Sequence, residues 1–199
     1  MKRIDTLNNL FSEEEQININ HEIETMPYFW GAADRRRWVK EPQRQGYQFW
    51  ASTIYPTESS KFDAPLVTVE DVYKSNPNIM LVWDRISSVL EKNYNYDLSK
   101  YEFARIYTVA QYLGTNGSGT HQDIGDLSIV YYVTPNWKVD WDGGTVFFND
   151  EVDDVIKYVP YKTGNVTVFD AKIPHKGMSI SPKATDIRTI LAFKLRLKN

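Results

Sequence analysis

The sequence predicts a mainly β protein, an antiparallel sandwich or barrel preceded by N-terminal helices. Beyond residue 100 the chain divides into short runs rich in β-branched and aromatic residues, separated by Gly, Asn, Asp and Pro. These runs are Tyr101–Val109, Leu127–Val133, Thr145–Phe148, Val155–Val159, Asn165–Phe169 and Arg188–Leu197. Helix signals fall mostly before residue 95. Strands and helices do not alternate in the way that builds a parallel sheet from βαβ units.

Composition narrows the function classes. The 199 residues are 42% hydrophobic and 14% aromatic, enough to bury the core of one domain and too apolar for disorder. The expected organisation is a single domain over 1–199, with an N-terminal helical, substrate-side extension (1–100) and a β core (101–197). With 23 Lys+Arg against 26 Asp+Glu, the net charge of -3 offers no general attraction to nucleic acid or anionic membrane, and neither is expected as a partner. The absence of Cys excludes disulfides, a thiol nucleophile, thiolate zinc and iron–sulfur clusters. The unbroken apolar runs Ile79–Trp83 and Ile129–Val133 are far shorter than the roughly 20 residues of a spanning helix. The opening residues also lack the apolar stretch of a secretory signal. A cytoplasmic location is expected.

The elements follow in order. Ser12-Glu-Glu-Glu15 has the form of a capping box, so a helix of about three turns should begin there and end before Pro27. In Asn78–Lys92, Met80, Trp83, Ile86 and Leu90 recur at three- and four-residue steps and predict an amphipathic helix. Between these helices lie Trp30, Trp38, Tyr47, Phe49, Trp50 and Tyr55, and the alternation over Tyr47–Tyr55 reads as a strand. The run Gly114-Thr-Asn-Gly117-Ser-Gly119 precedes no helix, so it is a loop rather than a phosphate cradle.

The three histidines, His21, His121 and His175, carry the chemical argument. His21 reads as an ordinary helix side chain. In an extended segment residues i and i+2 share a face, so His121 and Asp123 can reach one point in a barrel's mouth. His175 lies after a distant strand and can complete two neutral nitrogen donors and one carboxylate. That donor set suits non-haem Fe(II), holding one face of an octahedral ion and leaving the other open for O2 and a chelating co-substrate. The bland alternatives are a turn-capping Asp123 and hydrogen-bonded histidines.

The order of surrounding elements decides between these readings. His121-Gln-Asp123 is followed by Leu127-Ser-Ile-Val-Tyr-Tyr-Val133, Trp137, Trp141-Asp-Gly-Gly144-Thr-Val-Phe-Phe148, Gly164-Asn-Val-Thr-Val-Phe169, Ile173-Pro-His175 and Asp186-Ile-Arg188-Thr-Ile-Leu-Ala-Phe193. In this order the chain resembles the 2-oxoglutarate- and Fe(II)-dependent oxygenases, specifically their prolyl 4-hydroxylase-like branch. The likeness spans about residues 101–197. It implies a double-stranded β-helix (jelly-roll, cupin-like) core with His121, Asp123 and His175 as iron ligands. Arg188 would pair with the distal carboxylate of 2-oxoglutarate through its planar guanidinium. Tyr132 would join that carboxylate, with Tyr131 as the alternative, since strand alternation turns only one of the two inward. Tyr112 would line the same pocket, with Tyr107 as its alternative. The spacing from His175 to Arg188 is longer than the branch's pattern, which leaves Lys183 and Lys194 as poorer alternatives. Keeping an Asp at position 123, where related halogenases have a small residue, favours hydroxylation.

The resemblance implies a dioxygenase that uses Fe(II), 2-oxoglutarate and O2, hydroxylates an unactivated C–H and releases succinate and CO2. Its substrate would be a small molecule, an amino acid or a peptide, proline included. For the substrate side the candidates are Trp30, Arg35, Arg36, Arg37, Trp38 and Trp50, as aromatic walls with a convergent cation. The plainer readings are a solvated arginine cluster and tryptophans packing the N-terminal layer. Two rival functions stand beside the dioxygenase: a cupin-like metal enzyme that does not use 2-oxoglutarate, and a metal-free jelly-roll binding module. The sequence carries no signal of oligomeric state.

Overall fold

The structure, a computed structural model, describes residues 3–30, 49–55, 67–113 and 118–198. Arg35, Arg36, Arg37, Trp38 and Tyr47 lie outside the described residues.

The elements run β1 (Ile4–Leu7), α1 (Glu13–Glu24), β2 (Phe29–Trp30), β3 (Trp50–Tyr55), α2 (Val69–Ser75), α3 (Pro77–Tyr94), β4 (Tyr101–Gln111), β5 (Leu127–Tyr132), β6 (Thr145–Phe148), β7 (Val155–Val159), β8 (Val166–Asp170), β9 (His175–Gly177) and β10 (Arg188–Leu197). Two antiparallel sheets form, a seven-stranded one ordered β1-β8-β5-β10-β4-β3-β2 and a three-stranded one ordered β7-β6-β9. This is the mainly β, jelly-roll arrangement expected from the sequence. The strand expected over Tyr47–Tyr55 is present as β3 within its described residues, and β1 and β2, which the sequence did not signal, join the same large sheet. β1 pairs with β8 from Ile4↔Phe169 to Leu7↔Val166, a partner remote in sequence and invisible to local pattern.

Both predicted helices are present. Ser12 closes the capping box of α1: its Oγ accepts from Glu15 N–H at 3.2 Å while Glu15 accepts from Ser12 N–H at 2.8 Å. α3 extends beyond the predicted Asn78–Lys92 at both ends. Pro77 suits its first turn, and Asn95 ends it in the left-handed region at φ 56°. No side chain of its own caps α3. Instead Glu22 of α1 accepts from the N–H groups of Asn78 and Ile79 at 3.1 and 3.2 Å, placing an anion on the positive helix end. Arg85 ties the helices together, donating to both Glu15 oxygens at 2.6 and 2.7 Å and to Leu10 O at 3.0 Å. Among the described residues, no helix is long and apolar enough to cross a membrane.

Strand alternation then sorts the large sheet into two faces. Ile129, Tyr131 and Val133, Val166 and Val168, and Leu191, Phe193 and Leu195 pack on one face with Ile19, Ile23, Ile79, Met80, Ile86 and Leu90 of the helices. Burying each of these aliphatic side chains is worth about 1.5–3 kcal/mol, so the helices are bound to the sheet mainly by this layer. The opposite face lines the space between the sheets, where Val130, Tyr132 and Phe169 meet Trp137, Trp141, Phe147 and Tyr161. On β10 the inward positions are Arg188, Ile190, Ala192 and Lys194. Their direct partners on β4 are Gln111, Val109, Tyr107 and Arg105. Two cations therefore sit on the inner face of one strand, buried to 2% exposure each. Charged groups are almost never buried to that extent without a purpose-built partner.

A candidate metal centre beside a buried arginine

His121 and His175 are adjacent through the backbone. Each donates its N–H to the other's carbonyl at 2.9 Å, an isolated antiparallel bridge outside the regular ladders. His175 is further fixed as the first residue of β9, opposite Phe147 of β6. Two residues beyond His121, Asp123 is anchored by its N–H to Ala171 O at 2.8 Å. The His-x-Asp segment and the second histidine thus reach one point because backbone pairing brings them there, and His121, Asp123 and His175 offer ligand atoms all within 4.8 Å of one another.

The protonation pattern of the histidines follows from their other nitrogens. His121 Nδ1 lies 2.7 Å from Gly119 O, and His175 Nδ1 lies 2.9 Å from Ile173 O. A carbonyl can only accept, so each Nδ1 carries a proton, and each Nε2 is the nitrogen turned inward, a ligand atom whenever its ring is neutral. Those nitrogens face the Asp123 carboxylate, His121 Nε2 at 3.7 Å from Oδ1 and His175 Nε2 at 3.3 Å from Oδ2. Two imidazole nitrogens and a carboxylate therefore converge, a donor set that a bound cation can use. Burial, with His175 adding to it and Asp123 opposing, lowers the His121 pKa and so favours the neutral ligand form. Phe169 stands edge-on to the His175 ring at 4.7 Å and helps keep that side of the site dry.

Asp123 is buried, and burial alone would raise its carboxyl. The Lys194 ammonium outweighs this, helped by His175 and His121, and holds the group well below the usual carboxylate range. Burial likewise lowers Lys194, but Asp123 overcomes that and its pKa is raised, so the two exist as an ion pair. The Lys194 ammonium donates directly to Asp123 Oδ2, and Ser128 Oγ donates to the same oxygen at 2.7 Å. From the sequence alone, Lys194 is only a poorer alternative partner for 2-oxoglutarate. In the structure it serves Asp123, while Lys183 is exposed and lies 3.4 Å from Asp140.

Arg188 faces inward from the start of β10. Nε donates to Gly143 O at 2.5 Å and Nη1 donates to Gln111 Oε1 at 2.8 Å, so both partners are neutral. Among the described residues no carboxylate pairs with it. Burial lowers its pKa, opposed only by the nearby phenols of Tyr161, Tyr132 and Tyr158. Gly143 makes room for it. A Cβ there would come within 2.9 Å of Arg188 Cδ, and the residue sits at φ 79°, where glycine is favoured. Of the tyrosine pair, Tyr132 is inward, its hydroxyl 3.0 Å from Thr145 Oγ1 and accepting from Thr167 Oγ1 at 3.3 Å. Tyr131 belongs to the helix-side layer against Phe11. Gln111 was missed by sequence reasoning, and only its register opposite Arg188 distinguishes it. Its neighbour Tyr112 is largely exposed, whereas Tyr107 points inward with its ring 5.8 Å from Lys194 Nζ. On the substrate side, Trp30 pairs with Trp50 in the β2–β3 ladder. Trp50 lies opposite Ala110, a position that shares its face with Leu191 rather than with Gln111 and Arg188.

No protein-family model matches this chain, and no curated protein sequence does. Solved structures do match over nearly the whole length. An oxidoreductase of the 2OG-Fe(II) oxygenase family from Burkholderia pseudomallei is 15% identical at a TM-score of 0.67, with 98% of this chain and 86% of that one covered. A prolyl hydroxylase from Trichoplax adhaerens, in complex with a peptide fragment of the hypoxia inducible factor oxygen degradation domain, is 15% identical at a TM-score of 0.60, covering 96% and 81%. A prolyl-4-hydroxylase from Pseudomonas putida is 14% identical at a TM-score of 0.59, covering 100% and 95%. The chain therefore has the jelly-roll fold of the 2OG-Fe(II) oxygenases, in the form shared with the prolyl hydroxylases.

Proposed function

We propose that this protein is an Fe(II)- and 2-oxoglutarate-dependent dioxygenase that hydroxylates an unactivated C–H of a small molecule or an amino acid, free or peptidyl. One observation carries the reading. Three potential metal-ligand atoms converge inside the same barrel as a buried guanidinium that has only neutral partners. The first feature suits a divalent cation, and the second suits a dianion with a carboxylate to offer. The likeness to oxygenases of the same fold supports it, and the peptide complex of the Trichoplax adhaerens enzyme supports a peptide or small-molecule substrate at the coarse level.

When bound together, Fe(II), 2-oxoglutarate and O2 supply an oxidant strong enough to attack an unactivated C–H, with release of succinate and CO2. The chain's own residues do the rest. His121, Asp123 and His175 would hold the metal, their geometry set by the His121–His175 backbone bridge and the Asp123–Ala171 hydrogen bond. Arg188 would bind the distal carboxylate, its own orientation fixed by Gly143 and Gln111. Tyr132 would donate to the same carboxylate, and burial keeps its phenol protonated for that role. Phe147 and Phe169 exclude water around His175.

The test is succinate release from Fe(II)-loaded protein across a panel of free amino acids, proline peptides and small metabolites, with Asp123→Ala as the blank. Turnover in at least one case, absent from the blank, is expected. Turnover unchanged in the blank refutes the site. One observation favours a metal-free binding module instead: Lys194 already neutralises Asp123. A metal titration that finds no site would decide for that reading.

A further inference from the structure

The two oxygens of Asp123 have different surroundings. Oδ2 accepts from Lys194 Nζ and from Ser128 Oγ. These donors are direct cross-strand partners, Lys194 of β10 opposite Ser128 of β5, so both rise from one rung of the inner sheet face. Oδ1 faces His121 Nε2 at 3.7 Å, whereas Oδ2, already taken up by these two donors, lies 3.3 Å from His175 Nε2. A carboxylate free to turn can bind a cation through one oxygen or through both. If both bound, Asp123 would take a second coordination position and leave one fewer open for exogenous ligands.

We propose that Lys194 is a positioning residue. With Ser128 it occupies Oδ2 and turns Asp123 so that Oδ1 alone joins the two histidine Nε2 atoms, keeping three positions of the metal open. The inference rests on reading the triad as a metal centre. Lys194 donates to Oδ2 and not to Oδ1, is fully buried, and its ring neighbours are Tyr107 at 5.8 Å and Phe169 at 5.6 Å. Such surroundings hold the ammonium in place and screen it little. Its charge also opposes that of a bound dication, so the same residue lowers metal affinity while it sets ligand geometry.

The test uses Mn(II) as the probe on the full chain, comparing wild type with Lys194→Met, a side chain of similar length without charge. Affinity is read by titration, and inner-sphere water is counted by water-proton relaxation. In wild type about three exchangeable waters are expected on an octahedral ion held by three protein atoms. In Lys194→Met the count should fall to about two as Asp123 becomes bidentate, and affinity should rise about tenfold as the buried like charge is removed. Ser128→Ala, which removes a neutral donor, should lower the water count partway with affinity within about twofold of wild type. An unchanged water count and affinity in Lys194→Met overturns the positioning role. Should that variant not fold, an unchanged water count in Ser128→Ala overturns it. Wild type that binds no Mn(II) instead removes the metal-centre reading itself, a distinct result.

Discussion

His121 and His175 exchange backbone hydrogen bonds with each other, both at 2.9 Å, so the two imidazoles begin from directly opposed Cα positions. Their ring centroids stand 4.4 Å apart. The metal-ligating geometry is thus a property of backbone pairing and should exist before any ion binds. Replacing either imidazole leaves that bridge intact. For His121→Ala, which gives up one partly exposed ring and its bond to Gly119, a stability loss of about 1 kcal/mol is expected. Metal affinity should fall more than about a hundredfold, since even the partners that merely orient a ligand are worth ten- to a hundredfold. Mn(II) titration beside chemical denaturation checks both, and a His121→Ala variant that still binds Mn(II) normally would exclude this histidine from the site.

The same histidine predicts a pH dependence for the metal-free protein. Burial and the neighbouring His175 lower the folded pKa of His121, while the unfolded chain titrates near its ordinary value of about 6.5. Below that value the unfolded state takes up a proton that the folded state resists. The His121 contribution to stability is therefore full above about pH 6.5 and declines as pH falls through the folded value. Urea midpoints measured from pH 8 to 5 should decrease, and His121→Gln should flatten the decrease. Midpoints that rise toward acid would contradict it.

Arg188 predicts a separation of binding from stability. Its cation is buried against only a carbonyl and an amide, so replacing it with Met removes an unpaired buried charge while leaving two acceptors unmet. These effects oppose each other, and the metal-free stability of Arg188→Met should stay within about 1 kcal/mol of wild type. The melting-temperature increase given by 2-oxoglutarate on the Mn(II)-loaded protein should disappear, corresponding to about 2–5 kcal/mol of lost binding. Retention of that increase would count against the arginine and in favour of a metal enzyme without the co-substrate.

What the sequence disclosed and what it hid divide along one physical line. His121-x-Asp123 is a local pattern, and the ordered elements out to Arg188 gave His175 its meaning. Tyr132 over Tyr131 needed only strand alternation plus knowledge of which face meets the helices. Features made by pairing distant segments were not legible. β1 is four residues long and gains its strand character only from β8. Gln111 carries no signal in the sequence, and Lys194 reads there only as a poorer carboxylate partner, until the β4–β10 and β5–β10 registers turn them inward. Glu22 resembles a surface acid of α1, yet it caps α3.

The Glu15–Arg85 pair links α1 to α3 and gives a prediction away from the site. The Arg85 hydrogen bond, then the Ser12 backbone, hold the Glu15 pKa down to about 2, below its ordinary 4.5. The pair's stabilisation is thus present above about pH 4.5 and lost as pH falls toward 2. Because both side chains keep some contact with water, Arg85→Met should cost only about 1 kcal/mol at neutral pH. Denaturation of Arg85→Met and wild type at pH 7 and pH 3 checks it, with the difference between them shrinking at the lower pH.

Gly143 connects backbone conformation to the arginine most directly. Its carbonyl accepts from Arg188 Nε, its φ of 79° is one that L side chains rarely adopt, and a Cβ would sit 2.9 Å from Arg188 Cδ and 3.1 Å from Nε. Gly143→Ala must either shift the arginine or twist the turn that precedes β6. Strain at such a position costs about 1–3 kcal/mol, so moderate destabilisation is expected. The functional consequence should be specific. If Arg188 binds the distal carboxylate as proposed, a displaced guanidinium loses that aim, and 2-oxoglutarate binding should weaken about tenfold or more. Mn(II) affinity should remain within about twofold, because the three ligands are anchored by the His121–His175 bridge and Ala171 rather than by this turn. Isothermal titration with Mn(II), then with 2-oxoglutarate on the loaded protein, separates the two. Equal losses of both would show that the turn supports the whole barrel rather than the arginine.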